Sequence, residues 1–476
     1  MILREDISNG ASNNMVNVIT ELSKYAMVLF LALYTVVGFS LVRKPEEEKR
    51  AALWQQNFFL FGMLLTGNLI LYLNTGNEKT AAFCGAQLVF FTGFLILQHL
   101  LYPKADRLLN HNLLLLLGVG FLMLARLSFD RATRQFELAV LAAGLTFLIP
   151  WLIRKSAGKL RKLSWWYGAV GFGLLLAVLI AGKLSFGAKL AITVHGITFQ
   201  PSEFVKILFV FFVAGMLYKS QDLKQVVIAT AAAAAHVLVL VLSRDLGGAL
   251  IFFVTYLVML YIATRQPVYF LAGLLSGIGA AYLAWKLFSH VQTRVLAWSD
   301  PFSVIEKEGY QITQSLFAIG TGGWFGLGLG QGMPYKIPVV EEDFIFAAIA
   351  EECGILFAVF LIFVYMCSFY MILNIAMCLR DGYYKLVAAG LGSFVIFQAF
   401  LSIGGVIKFI PSTGVTLPFI SYGGSSLVSM FTIWAVIQGM YLKRSDEVQG
   451  NEKDQGKDRK KEKKEKAGTK GRKSGV

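Results

Sequence analysis

Apolar residues in this chain come in long blocks rather than in the narrow stripes of a soluble helix. Stretches that match, or nearly match, the roughly 20 residues needed to cross a bilayer as a helix stand at 23–42, 56–75, 81–102, 110–127, 135–153, 166–183, 201–218, 225–243, 246–264, 267–289, 343–373, 385–409 and 418–443. The pattern predicts thirteen membrane helices and an all-α polytopic fold. An odd number of crossings puts the two ends of the chain on opposite sides. Inner loops of membrane proteins are rich in Lys and Arg. With the basic C-terminal end inside, the loops carrying Arg43, Lys44, Lys49 and Arg50, then Lys104 and Arg107, then Arg154 to Lys162, Lys219 and Lys224, and Arg380 and Lys385 all fall inside. The N-terminus and the long 290–342 segment fall outside. Arg131 and Arg134, in an outer loop, are the exception.

Composition agrees with this reading. Of 476 residues, 56% are hydrophobic and 15% charged, against about 25% charged in soluble domains, which leaves no soluble enzyme domain to find. The net charge is +15, and Lys443 to Val476 holds 13 basic and 7 acidic residues with almost nothing apolar. A cytosolic disordered tail, 444–476, is expected, with lipid headgroups rather than nucleic acid as its nearest anions. Residues 1–22 lack the basic start and cleavage site of a signal peptide and are expected to be retained. Cys84, Cys353, Cys367 and Cys378 show no CxxC spacing, so they read as apolar filler rather than disulfides or a zinc site. Among five scattered histidines, His236 inside an Ala-rich span is the notable one.

The chemistry concentrates at the start of the eleventh span. Glu341, Glu342, Asp343, Glu351 and Glu352 fall within twelve residues of the chain's entry into hydrocarbon, where an unpaired acid costs about 3 kcal/mol. Read as the first turn of a helix, Asp343 meets free backbone N–H groups and the positive end of the helix dipole, so an ionised carboxylate is expected there. Glu351 falls roughly 80° round and about 12 Å deeper. It could share a cavity with Asp343, whereas Glu352 points away and needs another partner. Glu341 and Glu342 read as a solvated cap.

Other polar clusters flank the outer face. Gln200-Pro201-Ser202-Glu203-Phe204-Val205-Lys206 starts a span, with Ser202 as a possible cap and Glu203 and Lys206 spaced to pair. Ser243-Arg244-Asp245 is a charged hinge, whose two charges either satisfy each other or bind an anion and a cation. The 290–342 segment carries Gly309-Tyr310-Gln311 with Gln314-Ser315, then a glycine-dense run from Gly320 to Gly332. No strand precedes that run and no Lys-Ser/Thr follows it, so a nucleotide site is not indicated. Finally, Pro411 to Pro418 forms an outer turn that leads into Ser421-Tyr422-Gly423-Gly424-Ser425-Ser426.

Taken together and in order, these motifs resemble the bacterial shape, elongation, division and sporulation family of FtsW, RodA and SpoVE, across roughly 110–443. The decisive strings are Asp343-Phe344-Ile345-Phe346 with Glu351-Glu352-Cys353-Gly354, and Pro411-Ser412-Thr413-Gly414-Val415-Thr416-Leu417-Pro418 with the serines after it. The resemblance implies a ten-helix core at 110–443, preceded by three extra helices in 1–109. It implies a peptidoglycan glycosyltransferase that polymerises lipid II at the outer membrane face beside a class B penicillin-binding protein, in division, elongation or sporulation. It also implies Asp343 as the essential acid, acting as general base or positioning the acceptor. Gln200, Ser202, Glu203, Lys206, Asp245, Gln311, Ser315, Glu351, Thr413, Ser421 and Ser425 are the expected substrate contacts. A pyrophosphate leaving group would need Mg²⁺ or Mn²⁺, or Lys206, Arg244 or Lys408. The chain departs from the family's usual pattern at Val339 to Glu342, at Ser243-Arg244, at Leu190-Ala191 and at Ser402. A lipid-linked sugar flippase and a noncatalytic scaffold of a cell-wall synthase are the alternatives.

Overall fold

The computed structural model describes residues 2–447 apart from 45, 157, 186, 187, 195 and 196; the expected tail from 448 onward lies outside the described residues. Its helices are α1 (Ile2–Arg43), α2 (Glu46–Thr75), α3 (Glu78–Leu101), α4 (Arg107–Leu127), α5 (Phe129–Thr146), α6 (Leu148–Lys155), α7 (Ser164–Ala181), α8 (Pro201–Lys219), α9 (Leu223–Leu242), α10 (Leu246–Thr264), α11 (Pro267–Leu287), α12 (Ser289–Ser299), α13 (Tyr310–Gly322), α14 (Ile345–Cys378) and α15 (Gly382–Val406), followed by α16 (Gly424–Glu447). Among the described residues, thirteen helical segments are long and apolar enough to cross a membrane. They coincide with the thirteen apolar blocks.

Burial sorts these helices by their neighbours. No residue of α11 is buried, as suits a helix surrounded by lipid, whereas nearly every residue of α4 is. The reason lies in the N-terminal three helices, which wrap the core instead of standing apart. Leu64 of α2 fills the notch at Gly118 of α4, and Leu122 of α4 fills the notch at Gly67. Hydrogen bonds reinforce this contact inside the apolar layer, where each such bond contributes about 1 kcal/mol. The Tyr34 hydroxyl donates to Asn112 Oδ1 at 2.8 Å, and Asn112 donates onward to Ser368 of α14 at 3.0 Å. His111 meets Gln56 at 2.9 Å. The three extra helices are thus part of one body with the rest.

Three features depart from the sequence expectation. First, the connection before Gln200 contains a small antiparallel sheet, β1 (Lys183–Ser185), β2 (Ala188–Val194) and β3 (Ile197–Phe199), with Ser185 opposite Ala188 and Ile192 opposite Phe199. The alternation Lys189, Leu190, Ala191, Ile192, Thr193 is the period-two signal for it. Second, the 290–342 segment holds two short helices, α12 and α13. Third, α14 is broken near its start.

That break explains the glycine run. Gly354 has φ 89° and ψ 165°, which no residue with a Cβ adopts comfortably. Glu351 and Glu352 therefore offer their carbonyls to the N–H groups of Leu327 and Gly328, each at 2.9 Å, while Ile355 and Leu356 donate to the carbonyls of Gly323 and Trp324 at 3.0 and 3.1 Å. The loop is spliced into the helix. A Cβ on Gly326 would lie 2.2 Å from the Glu352 carbonyl oxygen, so close backbone approach is what the glycines supply.

His236 and the cysteines are structural. His236 sits between the carbonyls of Ala232 and Gly168, ringed by Phe172, Phe209 and Phe212. Cys353 and Cys367 are buried as expected, but Cys84 is half-buried and Cys378 exposed.

Candidate active site

A cavity of about 440 Å³ opens where α8, α10, α12 and α13 meet the 338–343 and 412–416 segments. Its floor is a buried polar chain. Lys206, 3% exposed, contacts Glu203 Oε2 at 2.5 Å and donates to Gln398 Oε1 at 2.9 Å. Ser429 donates to Glu203 from the far side at 2.9 Å, and Gln398 donates to the Thr416 carbonyl at 3.0 Å. This ties α8, α15, α16 and the last outer turn together around one ion pair. A buried pair so surrounded is costly to break from either side.

Asp245 stands on the next wall. It caps α10 by accepting from Gly248 N at 2.8 Å, and burial raises its pKa despite that bond, with Glu203 adding to the rise and Arg294 and Ser202 opposing it. Arg244 adopts φ 64°, an uncommon conformation for a residue with a side chain, and it too lines the cavity.

Asp343 lies just ahead of α14, not within its first turn. The segment that carries it is held on three sides: Gln311 donates to the Pro338 carbonyl at 2.8 Å, Tyr422 N donates to the Glu341 carbonyl at 2.8 Å, and Arg131 lies 3.3 Å from Glu341 and 3.8 Å from Glu342. Glu341 and Glu342 are therefore an anchored pair and not merely a solvated cap. Arg131, the exception among the outer loops, is their counter-ion and stacks over Tyr422. Burial raises the pKa of Asp343 to about 7; its own backbone N–H and Arg294 pull it down, and Glu342 pushes it up. The expectation of a fully ionised acid at neutral pH is thus corrected, because desolvation outweighs the nearby helix start.

Arg294 is the residue that sequence reasoning missed. It projects from α12, donates to the Ser412 carbonyl at 3.3 Å, and lies with Asp343 against Gly414, where a Cβ would be 3.9 Å from Arg294 Nη2 and from Asp343 Oδ2. Burial lowers its pKa while Asp343 and Asp245 raise it. The available signal was a lone arginine in the amphipathic string Ser289 to Ser299. Gln398 was likewise unforeseen.

Of the expected contacts, Gln200, Ser202, Glu203, Lys206, Asp245, Gln311 and Thr413 line this cavity with Asp343. The Thr413 hydroxyl is buried with no partner among the described residues, which leaves it available to a ligand. Four expected contacts lie elsewhere. Glu351 does not face Asp343 but accepts from Met333 N at 3.0 Å, because the splice turns it toward the glycine loop. Ser315 donates to the Val406 carbonyl at 2.8 Å, and Ser421 accepts from Leu417 N at 2.9 Å, both closing packing contacts. Ser425 accepts from Gln200 N at 3.1 Å and so supports the wall from behind. Lys408 is absent from the cavity lining; its carbonyl accepts from Trp298.

Comparison with known proteins places the chain in a family. A peptidoglycan glycosyltransferase RodA of Mycobacterium leprae is 34% identical over 360 residues, covering 70% of this chain and 77% of that protein. The stage V sporulation protein E of Bacillus subtilis is 31% identical over 353 residues, covering 70% and 95%. A chain in the solved structure of a peptidoglycan synthase complex that coordinates polymerisation and crosslinking superposes with a TM-score of 0.61 at 23% identity, over 71% of this chain and 98% of its own. The rod-shape-determining protein RodA of Thermus thermophilus gives a TM-score of 0.53 at 23% identity, over 71% and 97%. Residues 106–445 match the FtsW, RodA and SpoVE family of cell cycle proteins, and the chain belongs to that family.

Proposed function

We infer that this protein is a peptidoglycan glycosyltransferase that polymerises lipid II into glycan strands, and that the cavity around Asp343 is where it does so. The observation that carries the reading is an acid, Asp343, lining the cavity with Arg294 close by at Gly414, where burial raises its pKa to about 7. A general base is most effective when its pKa lies near the working pH. In the reaction, a sugar hydroxyl of the acceptor attacks the anomeric carbon of the lipid-linked strand. Asp343 takes the hydroxyl proton, the new glycosidic bond forms, and the bond to the lipid pyrophosphate breaks. Arg294 and Arg244 meet the charge that develops on the departing pyrophosphate. Lys206, committed to Glu203 and Gln398, shapes the floor.

Among the described residues no three His, Cys, Asp or Glu side chains come together as metal ligands. Mg²⁺ or Mn²⁺ is therefore proposed only as a companion of the substrate's pyrophosphate. Purified protein given labelled lipid II in detergent tests the function. Polymer is expected; a flippase or a scaffold would leave the substrate as monomer.

Orientation follows from the basic loops. Tyr25, near the start of the first span, packs on Phe325 with ring centroids 5.0 Å apart, and at the other end Lys104 lies 3.9 Å from Asp446. The first contact supports the N-terminal end sharing a side with the cavity, which we place outside, and the second supports the C-terminal end sharing the inner loops. Cysteines introduced at Ser8 and Ser474 should label with an impermeant reagent from outside and inside respectively. Labelling of both from one side would overturn the assignment.

A partner is also proposed. The structurally similar chain belongs to a complex that couples polymerisation to crosslinking, and the longest connection between spans here is taken up by α12, α13 and the cavity segments. Co-purification with a single-pass class B penicillin-binding protein that raises polymerisation is expected. Full activity alone, with no such protein recovered from native membranes, would count against it.

A further inference from the structure

The splice at Gly354 divides α14 into a short outer half, Ile345 to Cys353, and the membrane-spanning remainder. The outer half is roughly 13 Å long, and Asp343 stands at its head. Because the backbone bonds that would join the halves go to the glycine loop instead, what holds that loop helps to set the direction of the outer half, together with the contacts that hold 338–343. Besides Glu351, which accepts from Met333 N, three side chains hold the loop, and none of the three lines the cavity. Glu352, completely buried, receives Arg126 Nε at 3.1 Å and Gly330 N at 3.0 Å. Arg126 Nη2 donates to the carbonyls of Gly330 and Gly332 at 3.4 and 3.3 Å. Asn74, at the end of α2, donates to the Leu329 carbonyl at 2.9 Å.

We propose that Arg126, Glu352 and Asn74 form a clamp that positions Asp343, and that through Asn74 the three N-terminal helices contribute to the reaction geometry. Arg126 and Glu352 lie inside the stretch that matches the family, residues 106–445, but Asn74 lies outside it. The extra helices thus add a third fixed point to a loop the core already grips. Asn74 is exposed, so its share is smaller than that of the buried pair. The inference rests on Asp343 being the acting acid, and the test separates the two.

The test uses the full chain in detergent, reading kcat and KM on labelled lipid II together with amide hydrogen exchange across 327–333. Replacing both charges, R126M with E352M, removes the pair without stranding either partner, a change that buried pairs commonly tolerate. The expected result is normal insertion, exchange at Leu327 and Gly328 faster by at least tenfold, kcat lower by at least tenfold and KM within threefold. N74L should lower kcat about threefold, and N74Q, which keeps the amide, should restore it. Wild-type exchange and turnover in the double variant would overturn the clamp. So would faster exchange with unchanged kcat. If the double variant is not recovered folded, N74L against N74Q decides, and equal turnover of those two overturns the role of the N-terminal helices. An active D343N protein would remove Asp343 as the acting acid while leaving the exchange result intact.

Discussion

Asp343→Asn should insert and fold normally yet lose polymerisation by at least roughly 10²-fold, the usual contribution of a positioned general base. The folded protein raises the Asp343 pKa from 3.8 to about 7, so it favours the neutral acid. Stability contributed by that preference is fully present below the unfolded value and is lost as pH rises through about 7. Asn mimics the neutral form. The variant should therefore show no loss of thermal stability at neutral pH, and its melting temperature should lack whatever decline the wild type shows across that window. Turnover runs the other way: it should climb through about pH 7 in the wild type as the base ionises. A variant that polymerises labelled lipid II at near wild-type rate would exclude Asp343 as the base. One that is missing from the membrane would make the residue structural and move attention to Glu203 and Asp245.

Arg294→Gln should lower turnover about 10²-fold at neutral pH, the scale on which a single transition-state hydrogen-bond donor acts. It should also displace the pH profile. Arg294 holds the Asp343 pKa down and Glu342 holds it up. Removing the arginine must therefore shift the rising limb to higher pH, and part of the lost rate should return in alkaline buffer. Glu342→Gln should shift the limb to lower pH with only a mild change in maximal rate. Opposite displacements from two neighbours would identify the titrating group as the acid between them. A limb that stays fixed in both variants would assign it to another residue.

Much of this was legible in the sequence, for reasons particular to each element. Thirteen apolar blocks became thirteen spans because hydrocarbon requires every backbone group to be satisfied within the segment, and a helix does this locally. Asp343, Asp245, Glu203 and Lys206 stood out because charge at the edge of an apolar run demands an explanation. What the sequence hid was long-range. Arg294 comes near Asp343 only because the 412–416 turn brings α12 and the 338–343 segment together, and nothing in its own neighbourhood announces that. Glu351 was assigned a direction from a helix that began at Asp343, and it faces the glycine loop instead; Glu352, expected to need a partner of its own, finds Arg126. The pKa of Asp343 was misjudged for the same reason: helix position is local, whereas desolvation depends on which segments close over the acid.

The spliced start of α14 also bears on how the chain is made. From Ile355 to Cys378 the remainder of the helix is roughly 24 residues, about 36 Å, enough to cross the bilayer with no help from its outer half. It can enter the membrane as an ordinary apolar segment during synthesis. The outer half cannot form its final hydrogen bonds until the glycine loop has been translocated and has folded back against it. Assembly of the region around Asp343 is therefore a late event, following insertion, and in a newly inserted chain protease sites between Gly320 and Gly332 should stay open longer than those in any span.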